Sequence, residues 1–126
     1  MGAPHRRNGR WHRLTAAPPR NGPDSVVATI TELACHGAVT ALGVAVPGHL
    51  SRDRRSTRII PNLPGDWNHY LMADRLHTAT GVATVLLNDA RAFAVAELEL
   101  GAAHGGPDTV FVTMGTGIGG AMSCSS

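Results

Sequence analysis

The run Thr109-Val-Phe-Val-Thr-Met114 is apolar and β-branched, and four glycines follow it within six positions, Gly115, Gly117, Gly119 and Gly120. A run of this kind bounded by glycine reads as a strand entering a tight turn. Glycine lets the backbone reverse and bring its N–H groups against an anion with no Cβ in the way. Upstream, Asn88-Asp89 closes another apolar run, 82–87, and opens a helix-like segment. A carboxylate at a strand end, together with a phosphate-type loop, points to phosphoryl transfer.

The segments before this stretch alternate in the same way. Pro23-Asp24-Ser25 starts a helix in which Val26, Val27, Ile30, Leu33 and Ala34 recur at helical spacing, and Gly37 is expected at its C′ position. The run 41–46 is apolar throughout, as in a strand buried on both faces, and stops at Pro47-Gly48. Residues 49–58 carry four arginines and read as an exposed, solvated hairpin or loop, with phosphate contact by Arg54-Arg55 the lesser alternative. Pro61-Asn-Leu-Pro-Gly-Asp-Trp67 is a fixed, irregular loop with one aromatic anchor. A second helix follows, carrying Tyr70, Leu71, Met72, Leu76 and Ala79 and closed by Gly81. A third spans 90–102 with Phe93, Ala94, Leu98 and Ala102 on one face and Glu97 and Glu99 elsewhere. This order predicts an α/β fold with mostly parallel pairing.

Composition narrows the function classes. The chain has 126 residues, enough for one domain or one domain with part of another. All eleven basic side chains are arginine, so lysine chemistry, including a Walker-A loop, is excluded. A formal charge of +2 gives no bulk reason to expect nucleic acid. Residues 1–23 hold five arginines and read as a poorly ordered arm or a residual edge strand, with Trp11 and Leu14 the only buriable side chains. Cys35 and Cys124 read as two reduced thiols. No stretch reaches membrane-spanning length and no hydrophobic leader precedes the first helix, so the expected location is cytoplasmic. The histidines form no H-x-x-x-H or H-E-x-x-H pattern, so no metal ligand is assigned.

Each motif has a plain structural account beside the functional one. Gly115, Gly117 and Gly120 satisfy G-x-G-x-x-G, but a tight glycine hairpin accounts for them as well. A dinucleotide-binding module would place a helix directly after Gly120, whereas a kinase loop would continue as a β-hairpin. Asn88 and Asp89 are also ordinary helix N-caps. In the functional account Asp89 sits beyond the carboxyl end of a strand, where α/β folds bind ligands, and acts as a base beside an amide suited to a polyol. Gly48 would allow close approach of a ligand or of backbone, and Asn62 is the polar tip of its loop.

Taken together and in this order, these pieces resemble the ROK (repressor, open reading frame, kinase) family, in particular its bacterial glucokinases. The matching residues are Leu42-Gly-Val-Ala-Val-Pro-Gly48, Pro61-Asn-Leu-Pro-Gly65 with Trp67, Thr80-Gly81, Asn88-Asp-Ala90, Ala96-Glu97, Gly101 and Gly115-Thr-Gly-Ile-Gly-Gly120. The resemblance implies a partial actin-like ATPase (ribonuclease H-like) fold. Residues 24–107 would form an incomplete small α/β domain, and 108–126 the first strand and glycine hairpin of a large ATP-binding domain. It implies transfer of the γ-phosphoryl of ATP, with Mg2+, to the 6-hydroxyl of a hexose such as glucose. Asp89 would be the general base, Asn88, Gly48 and Asn62 would bind the sugar, and Gly115, Thr116 and Gly117 would hold the ATP phosphates. Hexose and ATP are then the partners, with neither nucleic acid nor membrane, and a homo-oligomer is compatible with a full-length family member.

The pattern also departs from the family's. The opening Asp-x-Gly-Gly-Thr loop, the Glu-x-Gly-His sugar motif and the Cys-rich zinc site are absent, Arg91 stands where the family has Asn, and Leu87 where it often has Glu. The expectation is therefore a piece of a glucokinase-like enzyme truncated at both ends. The alternatives are a catalytically inactive fragment or sugar-sensing relative and, beyond those, a dinucleotide-binding module. Sheet edges left uncovered by truncation would make the chain poorly soluble or self-associating.

Overall fold

The computed structural model describes residues 15–17 and 20–125. The expectations for Trp11, Leu14 and most of the 1–23 arm lie outside the described residues. The elements run α1 (Pro23–Ala34), β1 (Ala41–Val46), β2 (His49–Leu50), β3 (Thr57–Ile59), α2 (Met72–Thr80), β4 (Ala83–Asn88), α3 (Asp89–Leu100), β5 (Thr109–Met114) and β6 (Ile118–Ser123). They follow the predicted order, and the α/β class stands.

The pairing differs from the expectation of mostly parallel strands. Among the described residues only β1 and β4 pair in parallel, in register from Ala41 opposite Ala83 to Val46 opposite Asn88. The pairs β2–β3 and β5–β6 are antiparallel hairpins. Short loops force this: the three residues Gly115 to Gly117 can only reverse a chain, whereas a parallel return needs a crossover such as α2. Nor is β1 buried on both faces. Leu42, Val44 and Val46 turn inward while Ala41, Gly43 and Ala45 stay exposed. Those outward residues are small, so they lose little by facing water.

The core lies where α1 and α2 cover the inward face of β1–β4. Val46, Ile60, Trp67, Met72, Ala73, Leu76 and Leu86 are buried, with Val26, Val27 and Ile30 of α1 packed against them. Burying a side chain such as Leu76 or Leu86 stabilises by roughly 1.5–3 kcal/mol each. Trp67 anchors the 61–67 loop as predicted, its indole N–H donating to the Pro64 carbonyl at 3.0 Å. Its own carbonyl accepts from the fully buried Thr57 hydroxyl at 2.5 Å.

The helix ends show where local signals held and where they did not. Gly81 takes the left-handed C-cap of α2 at φ 74°, and its N–H returns to the His77 carbonyl at 2.8 Å. Gly37 does not play that part for α1. The helix closes on Cys35 in a right-handed conformation, and Gly37 has no positive φ. α3 ends at Leu100, so Ala102 lies beyond it, and Phe93 is 42% exposed instead of facing inward. Phe93 meets the buried Phe111 of β5 edge-on, ring centroids 6.4 Å apart. β6 runs through Gly120 from Ile118 to Ser123, which is the hairpin and not the helix of a dinucleotide-binding loop.

Candidate active site

Asn88 is both the last residue of β4 and the N-cap of α3. Its Oδ1 accepts from the N–H groups of Ala90 at 3.1 Å and Arg91 at 3.3 Å, satisfying two donors that a helix start leaves without partners. Its Nδ2 donates to the Gly48 carbonyl at 3.0 Å. One amide thus ties the ends of two parallel strands to the start of a helix. An amide can do this because it carries a donor and an acceptor on separate atoms, which a carboxylate does not.

Gly48 sits against that clamp at φ 129°, and a Cβ there would lie 2.1 Å from the Ile59 carbonyl oxygen. Backbone is therefore what approaches this glycine closely. Asp89 opens α3, where the helix dipole favours a carboxylate. Its Oδ1 accepts from the Ala90 N–H at 2.8 Å. Oδ2 takes part in none of the described hydrogen bonds.

These residues line one cleft of about 800 Å³. Its walls are Gly48 and the loop after β2, the first turn of α3 with Asn88 and Asp89, and the start of β6 at Ile118, Gly119 and Gly120. Gly119 lets β6 close onto α3, since a Cβ there would stand 2.8 Å from Thr113 Oγ1 and 3.5 Å from the Ala90 methyl.

Three of the sequence-predicted site residues thus come together, and four do not. Asn62 is exposed in a turn at φ 65°, a left-handed conformation asparagine tolerates, and it does not line the cleft. Gly115, Thr116 and Gly117 form the exposed hairpin tip beyond the cleft wall. The Gly115 N–H already donates to the Gly117 carbonyl at 2.9 Å. Yet neither glycine has a positive φ, and neither has an atom within 4 Å of an ideal Cβ. Nothing in the described fold requires glycine there.

Sequence reading gave Arg52 and Arg91 no site role and set phosphate contact by Arg54 below a solvated loop. Arg52, Arg54 and Arg91 all line the cleft. The 49–58 stretch reads as solvated, but Ser51 folds its tip back. The Ser51 hydroxyl donates to Asp53 at 2.5 Å and accepts from the N–H groups of Arg55 at 3.2 Å and Ser56 at 3.0 Å. The Ser51 bond, and then the Arg55 N–H, hold the Asp53 carboxyl below its ordinary range. Arg55 itself turns away to pair with Asp74, which raises its own pKa. The available signal was the short spacing of Arg52 and Arg54 from Gly48, which keeps them beside a strand end.

Among the described residues, no group of three or more His, Cys, Asp or Glu side chains could hold a metal ion. No helix among them is long and apolar enough to cross a membrane.

A family model described as the ROK family matches residues 10–125. The chain is 36% identical over 106 residues to a glucokinase of Thermotoga maritima, a match covering 81% of this chain and 33% of the relative. It superposes on a ROK family glucokinase from Streptomyces griseus, solved in complex with glucose and AMPPNP, with a TM-score of 0.75 and 31% identity. That match covers 87% of this chain and 36% of the other. It superposes equally well on a ROK hexokinase from Thermus thermophilus, with a TM-score of 0.75, 34% identity and coverage of 87% and 38%. The chain thus spans about a third of the length of the curated relatives it matches.

Proposed function

The chain belongs to the ROK family and carries part of its actin-like ATPase fold, and from that premise we propose that it contributes the acceptor-activating half of an ATP-dependent hexose kinase. The observation that carries this reading is the position of Asp89, a carboxylate at a helix start that faces a cleft large enough for a sugar. With Oδ1 held by the Ala90 N–H, Oδ2 is the atom left to accept a hydroxyl proton. The 6-hydroxyl oxygen of glucose then forms a bond to the γ-phosphorus as the bond to the leaving ADP breaks, and the proton passes to Asp89. Asn88 keeps one N–H for a sugar hydroxyl after its clamp to Gly48. Gly48 shapes the wall, and Asn62 would contact the sugar only from outside the cleft. ATP supplies the phosphoryl group, and Thr116 and Gly117, with Gly115 completing the turn, would hold its phosphates. Mg2+ would enter with the nucleotide. Phosphoryl transfer depends mainly on positioning and charge stabilisation, so a fixed base and a shaped wall are substantial parts of it.

Glucose-dependent release of ADP tests the proposal, on the protein and on its Asp89→Asn variant. A placed base supplies on the order of 10²–10⁴ in rate, so the variant is expected to lose that much while keeping its affinity for glucose. Equal turnover in the two would remove Asp89 from the role. The separation of the Gly115–Gly117 tip from the Asp89 cleft favours a second reading, a relative that binds sugar without catalysis. Calorimetry with glucose and with AMPPNP separates the two, since the second reading requires that AMPPNP not bind.

A further inference from the structure

The cleft beside Asp89 carries more positive charge than a neutral sugar would use. Arg52 and Arg54 reach it from the loop after β2, and Arg91 from the first turn of α3. The ion pairs among the described residues are Arg55 with Asp74 and Arg75 with Asp24, so none of the three cleft arginines has a carboxylate partner there. Asp53, the nearest acid in sequence to Arg52 and Arg54, is engaged by the Ser51 hydroxyl and the Arg55 N–H and does not line the cleft. Against three guanidinium groups the cleft wall offers one carboxylate, Asp89. Arg91 adds its charge where the α3 N-terminus already favours an anion. The backbone fixes part of this set, since Arg54 is held at φ 57° with its N–H on the Ser51 carbonyl at 2.9 Å.

We infer that Arg52, Arg54 and Arg91 form a subsite for the phosphate dianion of a ligand lying in the cleft beside Asp89. Three planar donor forks lining one cleft suit a phosphate, which accepts several charge-assisted hydrogen bonds at once. The inference rests on the hexose-kinase reading for the sugar and only on the arginines for the phosphate. The ligand class it names is a hexose phosphate, the product of the proposed reaction, with free phosphate as the minimal form of the same chemistry.

Calorimetric titration of the chain with glucose, glucose 6-phosphate and inorganic phosphate tests it. Glucose 6-phosphate is expected to bind at least about tenfold more tightly than glucose, with phosphate competing for it, since charge-assisted hydrogen bonds to a phosphate are stronger than neutral ones to a hydroxyl. Its affinity should fall as salt is raised. The variant R52Q/R54Q/R91Q should lose that advantage and keep its affinity for glucose. Arg58→Gln, which removes an arginine bonded to His69 outside the cleft, should change neither. Thermal unfolding of each variant confirms that it folds. Unaltered glucose 6-phosphate binding in the triple variant would overturn the inference and leave the kinase reading standing. Phosphate binding that depends on the arginines, without any glucose binding, would leave the anion subsite and remove the hexose.

Discussion

Asn88 and Gly48 are the two residues on which the geometry of the cleft depends most. Asn88→Ala removes the cap of α3 and the bond to the Gly48 carbonyl together, and is expected to destabilise by about 2–3 kcal/mol in denaturant unfolding. Asn88→Asp separates the two effects. It keeps the cap acceptor and replaces the donor with an oxygen facing a carbonyl, so α3 should hold while the tie to β1 is lost. A variant as stable as the parent would show that the tie contributes nothing. Gly48→Ala places a methyl on the Ile59 carbonyl at a backbone angle that side chains avoid, and should cost roughly 1–3 kcal/mol or displace the β2–β3 hairpin. An unchanged unfolding midpoint would contradict that account. The pair Asn88-Asp89 was legible as a strand-to-helix junction, because capping chemistry is local. Its bond across 40 positions to Gly48 was not, since no local rule carries it.

Between elements, α1 and α2 are joined on their outer side by Asp24, Tyr70 and Arg75. The Tyr70 hydroxyl donates to Asp24 at 2.6 Å, Arg75 reaches the same carboxylate at 3.3 Å, and the guanidinium lies over the Tyr70 ring. Partial burial, and then the Asp24 carboxylate, push the Tyr70 hydroxyl up to about 12 from its ordinary 10. A group whose folded pKa is raised contributes stability that is complete below the unfolded value and lost as pH climbs through the folded one. The parent should therefore lose stability between about pH 10 and 12, and Tyr70→Phe should lose less over that window. Parallel pH profiles for the two proteins would refute the linkage. At this scale the sequence was informative about which segments are helix or strand, since period and caps are properties of neighbours. It anticipated the glycine hairpin but overstated parallel pairing, since among the described strands β1 and β4 alone pair that way.

For the molecule as a whole, the β5–β6 hairpin is unfinished on one side. Phe111 turns toward α3, whereas Val110, Val112, Met114, Ile118 and Met122 are between 57% and 81% exposed on the other face. With the open edges of the hairpin, that face is the main liability of the chain in isolation. Sedimentation at rising concentration is expected to show self-association, and charges at Val112 and Ile118 should suppress it without lowering the unfolding midpoint. A monodisperse monomer of the parent chain would contradict this. The comparisons agree in scale: the superposition covers most of this chain and about a third of each glucokinase or hexokinase.

By itself the sequence determined the order of the elements, some of their caps, such as Gly81 and Asn88, and the family, since ordered motifs at set spacings survive where each one alone is ambiguous. It also picked out Asp89, because a carboxylate at a strand end is a local pattern. Tertiary structure alone decided which residues share a cleft. It brought the β2–β3 arginines and Gly119 to Asp89 and left Asn62 and the Gly115–Gly117 tip outside. The reason is that a cleft is made by contacts between distant segments, and their geometry follows from β1–β4 pairing and α3 packing, which no short stretch of sequence encodes.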